Sequence, residues 1–182
     1  QLLRLARLMG VERQDRARHL HAMSDIIIRQ FLPGDTGWLV TQHGIHYAQA
    51  EGFDDTFGPL VATILADFNA GHDPLCERGW IAEKDGQRLG SIFCVKLDET
   101  TAKLRLFLLK PNARGTGLGR QLLDQCTGFA REIGYEKMQL WTHESHKAAC
   151  ALYAKTGWQM VESKPVHSFG CDLVEQTWTL QL

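Results

Sequence analysis

Three glycines at alternate positions lie between two arginines in the segment LKPNARGTGLGRQLL, residues 109–123. An alternating apolar run precedes the segment and apolar residues at helical spacing follow it, which predicts a strand, a glycine-rich loop and a helix in succession. Glycines allow close backbone approach, and the first turn of a helix has N–H groups without intrahelical partners and a partial positive charge. A strand-to-helix loop of this kind is typical of phosphate binding.

The residues around the glycines narrow the kind of phosphate ligand. Arg114 and Arg120 add full positive charges, which favours a diphosphate over a carboxylate metabolite. A Walker loop is excluded because no Gly-Lys-Ser/Thr triplet follows, and a dinucleotide fingerprint is excluded because Arg120 stands where its third glycine is required. The alternative is a tight glycine turn that only starts a helix.

Periodicity and turn residues along the rest of the chain predict the element order β-α-α-β-β-β-α-β-α-β-β, a mixed α/β (α+β) fold. The dipeptide Asp85-Gly86 between two strand-like runs predicts a hairpin. In the strand predicted over residues 103–109, Leu104, Leu106 and Leu108 are expected on one face of the sheet. The predicted strands cover residues 26–31, 80–84, 87–96, 103–109, 137–142, 159–162 and 171–180, and the predicted helices cover 36–50, 57–68, 118–133 and 145–156.

Composition limits the classes of partner. The 182 residues suffice for one sizeable core, and a net charge of -1 provides no bulk basic field for nucleic acid or anionic membranes. No apolar run approaches the roughly 18 residues of a membrane span, so we expect a cytoplasmic protein. The five cysteines are odd in number and never spaced as CxxC, which indicates reduced thiols. Two HxxH pairs lack a persuasive third ligand, so no metal is expected.

Two motifs together resemble a known family. RGTGLG, residues 114–119, matches the Arg-x-x-Gly-x-Gly loop of the GCN5-related N-acetyltransferases (GNATs), and the surrounding LRLFLLKPNARGTGLGRQLL resembles their acetyl-CoA-binding strand, loop and helix. SHKAACALYAKTGW resembles the family's next helix, which commonly reads Asn-x-x-Ala-x-x-Leu-Tyr before a Gly-aromatic pair. His146 stands where that Asn is usual. The resemblance covers about residues 26–182.

The resemblance implies a GNAT-like fold over residues 25–182, with a mostly antiparallel sheet of about six to seven strands and about four helices. More narrowly, residues 26–57 resemble the opening of acetyltransferase domains fused behind MarR-type DNA-binding regulators. Residues 1–24 are then expected to form an N-terminal helix and linker, and QLLRLARLMG resembles the last helix of a preceding regulator.

The resemblance also implies acetyl-CoA as cosubstrate, no metal, and a set of site residues. Backbone groups of Leu108, Leu109 and Lys110 would pair with the pantetheine arm, and residues 114–119 would hold the pyrophosphate. Tyr153 matches the general acid that protonates the departing thiolate. The cofactor-binding set is Leu108, Leu109, Lys110, Arg114, Gly115, Thr116, Gly117, Leu118, Gly119, Arg120, His146 and Tyr153.

The resemblance does not identify a general base. Many relatives carry a carboxylate on the central strand, but the corresponding segment here, KLRLFLLK, has none. Candidates follow the strand MQLWT, namely His143, Glu144 and His146, since a neutral histidine accepts a proton near pH 7. Glu51 and Asp54 are candidates for binding a cationic amine. Four aromatic residues are assigned either to an acceptor pocket or to the core: Trp38, Tyr47, Phe53 and Trp80.

The function that the resemblance implies is acetyl transfer from acetyl-CoA to a primary amine of a small molecule or peptide, with Tyr153, His146 and Glu144 as catalytic residues. One rival is a non-catalytic acyl-CoA sensor, the effector half of a MarR-type regulator. A second rival is nucleic-acid binding through the arginines of residues 4–18. We expect no membrane partner and no DNA binding by this chain alone; a preceding regulator domain would supply DNA binding, and a homodimer is allowed.

Overall fold

The computed structural model describes residues 26–182 of the chain. The predicted N-terminal helix and linker, residues 1–24, lie outside the described residues. The strands are β1 (Ile27–Gln30), β2 (Arg78–Lys84), β3 (Gln87–Lys96), β4 (Thr101–Leu109), β5 (Lys137–His143), β6 (Gln159–Ser168) and β7 (Cys171–Gln181). The α-helices are α1 (Thr36–Glu51), α2 (Phe57–Gly71), α3 (Leu118–Ile133) and α4 (Lys147–Lys155), and single 3-10 turns span Pro33–Asp35 and Pro111–Ala113.

The seven strands form one sheet in the order β1-β2-β3-β4-β5-β7-β6. Only β4 and β5 run parallel, and they pair over three residues, from Thr101 opposite Lys137 to Lys103 opposite Gln139. All other neighbours are antiparallel. The predicted element order and the mixed, mostly antiparallel α/β class are therefore confirmed, although β6 extends to Ser168, six residues beyond the predicted strand.

Each face of the sheet has its own apolar core. On one face α3 buries Leu118, Leu122 and Cys126, which are completely inaccessible, against residues of β2 to β5 and β7. The helix ends where Gly134 takes a φ of +94°, as the sequence predicts. On the other face α1 and α2 cover a second cluster made of Leu39, Phe53, Phe57, Val61, Leu65, Phe68, Ile81 and Phe93.

Two turns connect distant parts of the chain. Asp85 and Gly86 both have positive φ, 50° and 74°, as the predicted hairpin requires. The β6–β7 turn brings Phe169 onto Phe53 and Phe57, with ring centroids 4.9 and 5.0 Å away. The N–H of Asp54 donates to the carbonyl of Phe169 at 3.0 Å, so this hairpin tip packs directly against the α1–α2 connection.

The expectation that Leu104, Leu106 and Leu108 share one face is wrong for Leu106. Pairing between β3 and β4 shifts register between Ser91 and Phe93, and Leu106 takes a φ of +48° at this bulge. Leu106 therefore packs with the α1–α2 cluster, whereas Leu104 and Leu108 belong to the α3 cluster. A bulge inserts one extra residue and bends the strand, which breaks the period of two.

Asp35 is 2% exposed and accepts hydrogen bonds from Arg29 (2.8 Å), Arg88 (2.6 Å) and the N–H of Leu32 (2.9 Å). Burial alone would raise the pKa of Asp35, but these donors outweigh it and lower the pKa to about 2. A depressed folded-state pKa means that the stabilisation is complete above the unfolded pKa of 3.8 and is lost as pH falls through about 2.

We expect Asp35→Asn to lower the free energy of unfolding by about 3 kcal/mol at pH 7, because two arginines lose a buried partner. Urea unfolding at pH 7 measures the change. Asp172→Asn is the control, since Asp172 pairs with His167 at 2.7 Å but is 95% exposed, and it should leave stability unchanged. Equal effects of the two substitutions would contradict a structural role for the Asp35 cluster.

Candidate active site

A cavity of about 840 Å³ opens where β4 and β5 separate. Because their pairing ends at Lys103 and Gln139, the remainder of β4 has no partner strand on that side. The glycine loop and the start of α3 form one end of the cavity, and α1, α2, the last residues of β5 and His146 at the start of α4 form the other. The two ends differ in chemistry.

The glycine loop forms the first end. Gly115 and Gly117 have φ of +71° and +89°, in the region that favours glycine. Gly119 lies so close to β4 that an added Cβ would stand 3.0 Å from Leu109 Cδ1. Within residues 26–182, five backbone N–H groups of the loop and the first helical turn have no protein acceptor: Gly115, Thr116, Gly117, Gly119 and Arg120.

These unbonded donors fit a phosphate group, because they gather at the positive end of the α3 dipole. The two arginines have other partners. Arg120 Nε donates to both carboxylate oxygens of Asp124 at 2.8 Å, and Arg114 Nη2 donates to His46 Nε2 at 2.9 Å. His46 is a neutral acceptor, so the charge of Arg114 is not cancelled. Leu118 N–H faces Thr116 Oγ1 at 3.4 Å.

The end of β4 supplies fewer free backbone groups than the resemblance implies. Leu108 and Leu109 border the cavity, but the N–H of Lys110 donates to the carbonyl of Leu89 at 2.8 Å. Pairing with β3 thus continues to the end of the strand and removes Lys110 N–H from the predicted set of donors. The carbonyl of Leu109 faces Arg114 Nη2 at 3.5 Å.

Tyr153, on α4, lines the cavity. Its ring is 4% exposed and packs near Phe107, Trp158 and Trp178, with centroids at 6.3, 5.8 and 6.1 Å. Burial raises the pKa of Tyr153 well above its usual value. The phenol therefore stays protonated, and can donate, throughout the pH range in which an amine acceptor is tested.

His146 and Glu51 meet at the second end of the cavity. His146 Nε2 lies 3.6 Å from Glu51 Oε1, and His146 Nδ1 lies 3.0 Å from Thr142 Oγ1. Burial lowers the pKa of His146 to about 4, although the Glu51 carboxylate acts in the opposite direction. The imidazole is therefore neutral at pH 7. His146 also stands at the start of α4, whose first residue is Lys147.

Further polar rings surround this pair. The Nδ1 of His43 donates to the carbonyl of Leu39 at 2.9 Å, and burial lowers the pKa of His43 to about 4. The ring of Tyr47 lies 5.2 Å from that of His146, and burial raises the pKa of Tyr47 to about 12. His143 is 1% exposed, and neither of its ring nitrogens has a hydrogen-bond partner among the described residues.

Several predicted side chains lie elsewhere. Glu144 is 53% exposed, forms an ion pair with Lys147 at 3.7 Å and does not border the cavity, because it follows the last residue of β5 and faces solvent. Asp54 accepts from the N–H of Thr56 at 3.0 Å, also outside the cavity. Of the four aromatic candidates only Tyr47 borders it, while Trp38, Phe53 and Trp80 pack in or against the core.

Sequence reasoning missed one feature of the second end and one contact behind it. Lys103 and Arg105 of β4 border the cavity. The alternation of β4 assigned both residues to one face but gave no indication that the face lines a cavity. Phe169, at the β6–β7 turn, contacts Phe53 from more than 100 residues away, and no local signal predicts that contact.

Comparison with known proteins tests the family resemblance found in the sequence. A profile of the acetyltransferase (GNAT) family matches residues 41–158, which include the splayed strands, the glycine loop and Tyr153. The chain belongs to the GNAT family. GNAT acetyltransferases are acyltransferases that use acetyl-CoA, so the fold, family and cosubstrate expected from the two motifs are confirmed. The match also covers α3 and α4, the two helices that begin at the cavity.

Curated relatives and a solved structure agree with the family. Mycothiol acetyltransferase of Beutenbergia cavernae is 30% identical over 84 residues, 45% of this chain and 28% of that protein. N-acetyltransferase 8 of Rattus norvegicus is 30% identical over 105 residues, 53% of this chain and 46% of that protein. The chain therefore spans less than half the length of these relatives.

Among solved structures, yncA of Salmonella typhimurium with its cofactor acetyl-CoA has a TM-score of 0.67 and 21% identity, over 87% of this chain and 94% of that one. This likeness shows a shared GNAT fold. Nothing in the comparisons supports the narrower resemblance to MarR-type fusions, which stays a prediction.

Two further observations concern metal ions and membranes. Residues 26–182 contain no group of three or more His, Cys, Asp or Glu side chains arranged to hold a metal ion. None of the helices in this part of the chain is both long and apolar enough to cross a membrane.

Proposed function

We propose that this GNAT chain transfers an acetyl group from acetyl-CoA directly to a primary amine, with Tyr153 as general acid. The observation that carries the proposal is one continuous cavity with two chemically different ends. Unbonded backbone N–H groups of residues 115–120 lie at one end, a buried phenol lies between, and a neutral histidine beside a carboxylate lies at the other.

Acetyl-CoA supplies an activated thioester carbonyl when it is bound. The backbone donors of the glycine loop and the start of α3 would hold its pyrophosphate, and the unpaired edge of β4 at Leu108 and Leu109 would accept its pantetheine arm. Because Gly119 lies against Leu109, a side chain at position 119 would narrow this passage. His146 lies beyond Tyr153 and therefore contacts the acceptor side in this proposal.

The proposed role of Tyr153 is to keep a proton on Oη for the departing sulfur. Its raised pKa keeps Oη protonated in the resting site, which is the form that a proton donor needs. The surrounding aromatic rings hold the side chain in place without occupying its hydroxyl.

The amine must lose a proton on attack, and the His146–Glu51 pair is the proposed acceptor. Glu51 provides the negative charge that would attract an ammonium group, and neutral His146 lies 3.6 Å from it. The carboxylate of Glu51 favours the imidazolium form of His146 and therefore promotes proton uptake by this pair. Glu144 is not assigned this role because its side chain faces solvent.

We expect His146→Gln to lower kcat about tenfold, less than the usual range of about 10²- to 10⁴-fold for a positioned base, because an imidazole with a pKa of about 4 is a weak base and Glu51 remains. His167→Gln, at an exposed site on β6, should leave kcat unchanged. Because burial lowers the pKa of His146 to about 4, the base form persists above pH 5, and the pH profile of kcat/KM for the amine should show no break near 6.5. Stopped assays from pH 5.5 to 9 measure both quantities. A break near 6.5 that disappears in His146→Gln would contradict the lowered pKa.

The direct test of function is release of the CoA thiol from acetyl-CoA across polyamines, amino acids, aminoglycosides and peptide lysines. Calorimetry with CoA accompanies it. Turnover with any amine, together with CoA binding, supports the enzyme. Binding without turnover across the panel would instead support an acyl-CoA sensor, and no binding at millimolar CoA would overturn both.

A further inference from the structure

Two cations on β4, Lys103 and Arg105, border the second end of the cavity. Lys103 is opposite Val95 and Arg105 is opposite Phe93, so both side chains lie on the sheet face that α2 covers. Both are half-buried. In the part of the chain that the structure describes, neither makes an ion pair or a hydrogen bond.

The electrostatic environment of Lys103 and Arg105 disfavours their charged forms. Burial lowers the pKa of Lys103, and the neighbouring charge of Arg105 lowers it further. Burial also lowers the pKa of Arg105, and the exposed Asp67 is the acidic group that acts against this. Half-buried cations without hydrogen bonds lose solvation, and a ligand anion between them would restore it through charge-assisted hydrogen bonds.

Resting on the proposed acetyl transfer, we infer that Lys103 and Arg105 form a subsite for an anionic group, a carboxylate or a phosphate, carried by the amine acceptor. The acceptor is thus bipolar: its amine lies at Glu51 and His146, and its anion lies on β4. The buried His143, whose ring nitrogens have no hydrogen-bond partner among residues 26–182, borders the cavity beside His146 and supplies a further polar contact.

The sheet register sets the distance between the two charges. Lys103 is level with Gln139, and His143 lies four residues farther along β5. At a rise of about 3.3 Å per residue, His143 is about 13 Å from the level of Lys103 and about 7 Å from that of Arg105. An α-amino acid carries its amine and carboxylate on one carbon, which is short against the separation from Lys103, so an acceptor with several bonds between amine and anion fits these levels better.

The wall between the charges is apolar. Leu60 and Ile64 of α2 face the cavity on one side and Trp141 of β5 on the other, and Leu60 and Trp141 are 40% and 39% exposed. Exposed apolar side chains on both walls favour a methylene spacer over a polar one. A flexible ω-amino acid, such as 6-aminohexanoate, has the required combination of amine, spacer and anion.

The test compares kcat/KM for 6-aminohexanoate, 6-aminohexyl phosphate and the neutral 6-aminohexanamide. Wild-type protein is expected to prefer at least one anionic acceptor over the amide by about tenfold or more. Lys103→Gln/Arg105→Gln should reduce that ratio to about one and leave KM for acetyl-CoA unchanged. Lys96→Gln/Arg131→Gln removes the same net charge outside the large cavity and should keep the wild-type ratio. The larger of the two anionic ratios identifies the group as carboxylate or phosphate.

A wild-type ratio near one, with turnover of all three amines, would overturn the anionic subsite but not the proposed function. A ratio that persists in Lys103→Gln/Arg105→Gln would overturn the assignment to these residues. If none of the three turns over while another amine of the broad panel does, the anionic subsite is overturned and the proposed function stands. If no amine of either set turns over, the proposed function fails, and calorimetry with 6-acetamidohexanoate decides the subsite. Binding that weakens about tenfold in the double variant supports it, and absence of wild-type binding overturns it.

Discussion

Tyr153→Phe is expected to lower kcat for acetyl transfer by about 10²- to 10⁴-fold, the range for loss of a positioned general acid. The affinity for CoA should stay within about threefold of wild type, since the hydroxyl is not one of the groups proposed to bind the phosphates. The ring and its contacts with Trp158 and Trp178 are retained, so thermal stability should change little. Steady-state kinetics and CoA calorimetry measure the two effects.

Tyr47→Phe provides the matched control. Tyr47 borders the same cavity from α1, and its phenol is likewise kept protonated by a pKa raised to about 12. Loss of this hydroxyl should change kcat by less than about threefold, because Tyr47 lies at the acceptor end beside His146. If Tyr153→Phe retains wild-type kcat, or if both variants lose activity equally, Tyr153 is not the general acid.

Gly115→Asp is expected to weaken CoA binding about 100-fold, because a carboxylate would face the pyrophosphate at the start of α3. Gly115→Asn is the matched control, since Asn and Asp are similar in shape and both tolerate the positive φ of this residue, 71°. No atom lies within 4 Å of an added Cβ at this position, so neither variant should disturb packing. Calorimetry with CoA measures the difference.

The difference between these two variants should shrink as salt rises, because the repulsion acts at an exposed loop where ions screen it. Equal CoA affinities of Gly115→Asp and Gly115→Asn at low salt would contradict phosphate binding by the loop. Urea unfolding of both proteins separates a binding defect from a folding defect.

Local signals predicted the elements around the glycine loop well. The apolar stripe of Leu118, Leu122 and Cys126 predicted α3, and Gly134 predicted its end, because helix periodicity and capping are properties of nearby residues. The same is true of the Asp85-Gly86 hairpin. The candidate phosphate site was accessible to sequence reasoning for this reason, because its unbonded N–H groups belong to one contiguous segment.

Other parts depend on contacts that no local pattern encodes. The bulge that turns Leu106 to the other face arises from pairing with β3, where alternation within β4 alone indicated a regular strand. The Asp35 cluster requires Arg88 from 53 residues away, and the His146–Glu51 pair joins α4 to the end of α1. Sequence therefore named His146 and Glu51 as separate candidates without revealing that they meet.

The aromatic contact of Phe169 with Phe53 and Phe57 has a consequence for how such a chain can diversify. The β6–β7 tip packs against the α1–α2 connection, directly after the end of α1 that carries Glu51, whereas the proposed phosphate donors lie in one uninterrupted stretch. In the proposed mechanism, substitutions in the hairpin tip would therefore shift Glu51 and alter the choice of acceptor, while the glycine loop stays intact. The acceptor end could then change with the amine, whereas a single cosubstrate constrains the acetyl-CoA end.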